Sequence, residues 1–90
     1  MKVVVVGYGS IGKRHVRNLI SLGVKEIVLC RSSVNGNELN LEEISELEDI
    51  IKIRPDFVIV SNPTSLHFQT IIFLIKYHFN ILCEKPFLYK

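Results

Sequence analysis

Three glycines in the run Gly7-Tyr8-Gly9-Ser10-Ile11-Gly12 are the first residues of this sequence whose spacing points to chemistry. In a G-x-G-x-x-G turn between a strand and a helix, the first glycine makes the turn and the second lets a pyrophosphate approach the backbone. The third lets helix and strand pack closely. Gly7, Gly9, Ser10, Ile11 and Gly12 are therefore candidate cofactor-binding residues. Taken alone, a glycine turn that merely packs well has the same spelling; the flanking elements favour the ligand. Lys13, Arg14, His15 and Arg17 crowd the first two turns of the expected helix, where the helix dipole disfavours cations. A phosphate held by backbone N–H groups at that helix start would supply the missing negative charge. Each cation taken singly is better read as solvated, and only the cluster points to an anion.

A second constellation lies about 20 residues past the glycines, where a site of this kind usually places an acid against the ribose hydroxyls. Arg31 stands there instead, followed by Ser32 and Ser33. A guanidinium binds phosphate through two parallel charge-assisted hydrogen bonds, so Arg31 and Ser32 suit the 2′-phosphate of NADP, with NAD still possible. The alternative is a loop arginine that serves no ligand.

These groups need elements to hold them. Lys2 to Val6 is a β-branched run that suits a strand buried on both faces of a parallel sheet. Ile11 to Leu22 then turns helical, with Gly23 as its stop, and Lys25 to Cys30 reads as the second strand. The polar stretch from Arg31 to Asn40 contains Asn-Gly and reads as a loop, with at most a short third strand near Glu38 to Leu41. Asn40 as N-cap, Glu43 at the third helical position, and Leu41, Ile44, Leu47 and Ile51 at helical spacing predict a helix that ends near Arg54, before Pro55. Phe57 to Val60 is the next strand, Leu66 to Tyr77 a helix and Asn80 to Cys83 the last strand. Strands alternating with helices imply an α/β fold: a Rossmann-like doubly wound parallel sheet of about five strands in the order 3-2-1-4-5, incomplete at one edge.

Composition narrows the function classes. The chain has 90 residues with 48% hydrophobic content, which fits one domain over residues 1–90 with no linker or repeat. A formal charge of +2 lacks the clustered basic field of a nucleic-acid binder. Four valines make too short an apolar run for a secretory segment, and no stretch nears the about 20 residues that cross a bilayer, so a cytoplasmic protein is expected. Cys30 and Cys83 lack metal-ligand spacing. The sheet order sets their strands three spacings apart, on the order of 14 Å against a disulfide limit of about 7 Å, so two free thiols are expected.

With the glycine turn and His15, Asn62-Pro63 followed by His67, and Glu84-Lys85-Pro86 in this order, the sequence resembles the N-terminal domain of the Gfo/Idh/MocA oxidoreductases along nearly its whole length. The resemblance implies that the Asn62-Pro63 turn runs beside the nicotinamide half of the cofactor, that His67 is a further cofactor-binding candidate, and that Glu84 and Lys85 lie at the nicotinamide ribose and the substrate. Lys85 is the candidate catalytic residue. Near a cationic ring its ammonium form is disfavoured, which suits it to exchange a proton with a substrate hydroxyl. A solvated lysine paired with Glu84, and a His67 that only caps or packs, are the structural alternatives.

The wording GYGSIGKRH, CRSS and NPTSLH is similar to family members associated with sugar and polysaccharide biosynthesis. Two departures stand out: the stretch from Arg31 to Glu42 is shorter than the family's, and the family's second, substrate domain is expected to be absent. The expectation is an NADP-dependent oxidoreductase of a sugar or polyol represented by its cofactor domain. Such a chain is expected to be inactive alone, to take a sugar-like substrate only when a second domain is supplied, and to form a homodimer. The alternative is a stand-alone dinucleotide-binding or regulatory module without turnover.

Overall fold

A computed structural model describes residues 1–31, 36–62 and 64–83, with the side chains of Thr64, Ser65, His67 and Cys83 outside the description. Five strands form one parallel sheet in the order β3-β2-β1-β4-β5: β1 (Lys2–Val6), β2 (Glu26–Cys30), β3 (Glu42–Ile44), β4 (Phe57–Val60) and β5 (Ile81–Cys83). This is the expected order, and it keeps Cys30 and the backbone of Cys83 three strand positions apart. Helix α1 (Ser10–Ser21) connects β1 to β2, α2 (Glu48–Ile53) connects β3 to β4, and α3 (Thr64–Lys76) connects β4 to β5.

The valine run of β1 is buried because both faces of a central parallel strand are covered. Strand alternation divides the core in two. Val3, Val5, Ile27, Leu29 and Ile59 meet Val16 and Leu19 of α1, while Val4, Val6, Val28, Cys30, Val58 and Val60 meet Ile50 of α2 and Leu74 of α3. Crossovers leave β1 on one side through α1 and β4 on the other through α3, so the sheet order reverses between β1 and β4. In-register pairing brings Val6 level with Cys30 and Val60 at that reversal, where open α/β sheets hold ligands.

The segment after β2 departs from its sequence pattern. The expected helix beginning at Leu41 is replaced by strand β3 at Glu42–Ile44, the expected strand near Glu38 to Leu41 comes too early, and only Glu48–Ile53 is helical. Asn40 has φ 59°, in the left-handed region, not the extended conformation of an N-cap. The open edge of β2 decides the outcome: β3 pairs with it from Val28 to Cys30, and the Arg31 N–H donates to Ile44 O at 2.9 Å. Pairing an edge outweighs the modest propensity advantage of a helical register. Asn37 shapes the connection, its Oδ1 accepting from the N–H groups of Leu39 and Leu41 and its Nδ2 donating to Leu41 O.

Two helices end on non-glycine residues in the left-handed region, α2 at Arg54 (φ 56°) and α3 at His78 (φ 65°). The Phe79 N–H closes the α3 end by donating to Leu74 O at 3.0 Å. Left-handed backbone costs an L-residue about 1–2 kcal/mol, partly offset by the extra entropy a glycine loses on folding. His78→Gly is therefore expected to stabilise the domain by roughly 0.5–1 kcal/mol. That corresponds to a rise of about 2–8 °C in Tm by calorimetry. An unchanged or lower Tm would show that the histidine compensates its backbone through other contacts. Among the described residues no helix is long and apolar enough to cross a membrane.

Candidate functional site

The end of β1 is built by close backbone approach. Gly7 has φ 94°, its N–H donates to Cys30 O at 2.8 Å, and a Cβ there would lie 2.7 Å from both Cα and N of Asn62. A Cβ on buried Gly12 would strike the Gly7 carbonyl oxygen and lie 3.0 Å from Ser61 Oγ. Ser61 fastens the two strand ends, its N–H donating to Val6 O at 2.8 Å and its hydroxyl lying 3.0 Å from Val6 O and 3.1 Å from Gly7 O. These contacts account for glycine at positions 7 and 12 by packing alone. Gly9 is different: its backbone is extended, and a Cβ would meet nothing within 4 Å.

Gly9 is also the N-cap of α1, and no side chain caps that helix start. The first-turn N–H groups, including those of Ser10 and Ile11, thus form a donor-rich end with room in front of it. No acidic residue occupies the first turn. Lys13 Nζ lies 5.4 Å from the centre of the Tyr8 ring, which also carries the Arg31 guanidinium at 5.2 Å.

Beside this turn opens a cleft of about 420 Å³, lined by Val6, Gly7, Tyr8, Cys30, Arg31, Ser45, Leu47, Asn62, Leu66, Gln69 and Thr70. Two sequence candidates from distant parts of the chain, Arg31 and Asn62, line the same space. Asn62 Nδ2 donates to the buried Thr70 Oγ1 at 2.9 Å, while Asn62 Oδ1 is buried and has no hydrogen-bond partner among the described residues. A buried acceptor left unpaired is costly unless a ligand or water donates to it.

Arg31 Nη1 is 3.3 Å from Glu43 Oε2 and 3.3 Å from Gly36 O. The Tyr8 hydroxyl donates to Glu38 Oε2 at 3.3 Å. Burial, then the Glu38 carboxylate, raises the Tyr8 phenol above its ordinary pKa. Glu38 lies below the usual carboxylate range, chiefly through its own backbone N–H and then through Tyr8, Lys13 and Arg17. Cys30 is pushed up to about 11, first by burial and then by Asp49 and Glu46, so it contributes an apolar wall and not a nucleophile.

Gly7, Gly9, Ser10, Ile11, Gly12, Arg31 and Asn62 therefore gather at one end of the sheet. Ser32, Pro63, Glu84 and Lys85 lie outside the described residues, and so does the side chain of His67. Sequence reasoning passed over Tyr8, Glu43, Gln69 and Thr70. Tyr8 was open to discovery inside the glycine turn, whereas Glu43 was hidden by its helical reading.

Residues 1–90 match the Gfo/Idh/MocA description, "Oxidoreductase family, NAD-binding Rossmann fold". The chain belongs to this family. Among solved structures it is similar to myo-inositol 2-dehydrogenase from Lactobacillus plantarum, with 28% sequence identity and a TM-score of 0.80 over 97% of this chain. The chain spans 28% of that structure's length. No curated protein matches the sequence significantly.

The site fits the nicotinamide dinucleotide that the family implies. Open space over Gly9, the uncapped start of α1 and the unpartnered Asn62 Oδ1 are a cradle, a set of donors and an acceptor that such a group would engage. Among the described residues no cluster of His, Cys, Asp and Glu could hold a metal ion.

Proposed function

We propose that this Gfo/Idh/MocA domain prefers NADP over NAD and serves the oxidation or reduction of a sugar, a polyol or a polysaccharide precursor. The observation that carries the cofactor reading is Arg31 at the end of β2, lining the cleft where an acid for ribose hydroxyls would otherwise stand. A guanidinium there attracts a 2′-phosphate and offers nothing to a 2′-hydroxyl that an acid would offer.

The bound dinucleotide supplies the hydride donor or acceptor. The chain supplies position: backbone N–H groups of α1 for the pyrophosphate, Arg31 and Ser32 for the 2′-phosphate, and the Asn62-Pro63 turn with His67 of α3 and Glu84 for the nicotinamide half. Lys85 Nζ is proposed to hold or accept the proton of a substrate hydroxyl. A sugar-like substrate engages only where a second domain completes the site.

Titration calorimetry tests the cofactor reading. NADPH is expected to bind more tightly than NADH, and Arg31→Ala is expected to weaken NADPH at least about tenfold, the lower end of a charge-assisted contact worth about 1.5–3 kcal/mol, while NADH changes little. Equal affinities, or equal losses for both cofactors, would remove the 2′-phosphate assignment.

The same reading includes a homodimer. Phe68, Ile72 and Ile75 share one face of α3 and are 64%, 50% and 60% exposed, and Leu82 of the edge strand β5 is 45% exposed. Among the described residues β5 pairs only with β4, and this edge together with the apolar face of α3 would be covered by the same surface of a second copy related by a two-fold axis. Light scattering is expected to give the dimer mass; a monomer at high concentration would remove this interface.

A further inference from the structure

Arg31 is held from three directions. Its Nη1 meets Glu43 Oε2 and Gly36 O, each at 3.3 Å, and its guanidinium lies over the Tyr8 ring. Glu43 comes from β3, which the sequence pattern had hidden, and its side chain is only 3% exposed against 26% for Arg31. The same Glu43 oxygen accepts from Asn37 Nδ2 at 2.6 Å, so the carboxylate is fixed by the side chain that also shapes the 37–41 connection.

A carboxylate screened from water acts strongly on its neighbour, because Coulomb interactions are reduced less there than in bulk solvent. Arg31 is therefore a planar fork held at Nη1, with its charge partly offset by Glu43. Orientation favours recognition of a phosphate, while the balancing charge reduces the attraction. The two effects come from different properties of one carboxylate: its hydrogen-bond acceptor capacity orients, and its negative charge attenuates.

We infer that Glu43 is the positioning residue that sets cofactor discrimination through Arg31, moderating the preference for a 2′-phosphate over a 2′-hydroxyl. The inference rests on the reading of Arg31 given above. It assigns to β3 a role in specificity that acts without contact with the cofactor.

Glu43→Gln separates the two effects, since the amide oxygen still accepts from Arg31 and Asn37 while the charge is gone. The readout is the ratio of NADH to NADPH dissociation constants by calorimetry, with thermal unfolding as the check on folding. The ratio is expected to move toward NADPH by roughly three- to tenfold, through tighter NADPH binding with NADH within about twofold of its starting value. In the Arg31→Ala background, Glu43→Gln is expected to leave the ratio unmoved.

Should Glu43→Gln not fold, Glu43→Asp withdraws the carboxylate by one methylene and is expected to shift the ratio in the same direction by a smaller factor. A ratio that stays put or falls in the folded variant, while Arg31→Ala alone weakens NADPH, overturns this inference and leaves the reading of Arg31 standing. An Arg31→Ala variant with an unchanged ratio overturns both.

Discussion

Gly9→Ala is expected to weaken dinucleotide binding by about 100-fold or more while leaving the fold intact, and Gly12→Ala is expected to damage the fold itself. The two glycines occupy one motif, but their surroundings differ. A Cβ on Gly9 meets no protein atom within 4 Å and its φ of −82° suits any residue, so alanine there introduces no internal strain. Loss of glycine freedom in the unfolded chain even favours the variant by about 0.4–1 kcal/mol. On the proposed reading, the methyl group instead enters the space through which a pyrophosphate would reach the helix start, costing charge-assisted hydrogen bonds of about 1.5–3 kcal/mol each.

On Gly12 the added carbon would collide with the Gly7 carbonyl oxygen, a backbone atom that cannot swing aside. Helix α1 must shift away from β1, at about 3 kcal/mol, the upper part of the usual range for overpacking. For a domain with a total stability of about 5–15 kcal/mol that is a large share, and a fall of about 12–24 °C in Tm follows. Thermal unfolding with cofactor titration separates the variants. Normal affinity in Gly9→Ala would mean that no pyrophosphate lies against this turn.

What the sequence made legible divides along physical lines. Gly7 and Gly12 could be read because an added Cβ would lie 2.7 Å from the Asn62 backbone at one and collide with Gly7 O at the other, which leaves no residue but glycine. The strands Lys2–Val6 and Phe57–Val60 could be read because burial on both faces requires an unbroken apolar run. The segment from Leu41 to Ile51 could not, because its apolar spacing satisfies a helix equally well and the decisive partner, the edge of β2, is remote in sequence. That one misreading carried Glu43 with it. As the third residue of a helix it would be a capping side chain; as the centre of β3 it is the buried counter-ion of Arg31. Asn62 was legible as part of the Asn-Pro turn, while the unpaired state of its Oδ1 depends on Thr70 one helical stretch away.

Ile50→Ala is expected to destabilise the domain by about 2–5 kcal/mol and to weaken cofactor binding with it. At six residues, α2 is too short to persist through its own hydrogen bonds and depends on tertiary packing. Ile50 is its one fully buried residue, set among Val28, Cys30, Val58 and Val60. Removing three of its carbons leaves a cavity under the helix that a close-packed core does not refill. The effect should reach the site because Ser45 and Leu47, on the path into α2, form part of the cleft wall beside Arg31. Leu74→Ala supplies the comparison: Leu74 is equally buried on the same face of the sheet but belongs to α3, so its loss should cost similar stability. Hydrogen exchange should then show α2 opening first in Ile50→Ala and α3 first in Leu74→Ala. If Ile50→Ala loses its stability and still binds the cofactor with undiminished affinity under conditions where it remains folded, the wall formed by Ser45 and Leu47 contributes nothing to recognition, and the site is confined to the glycine turn, Arg31 and Asn62.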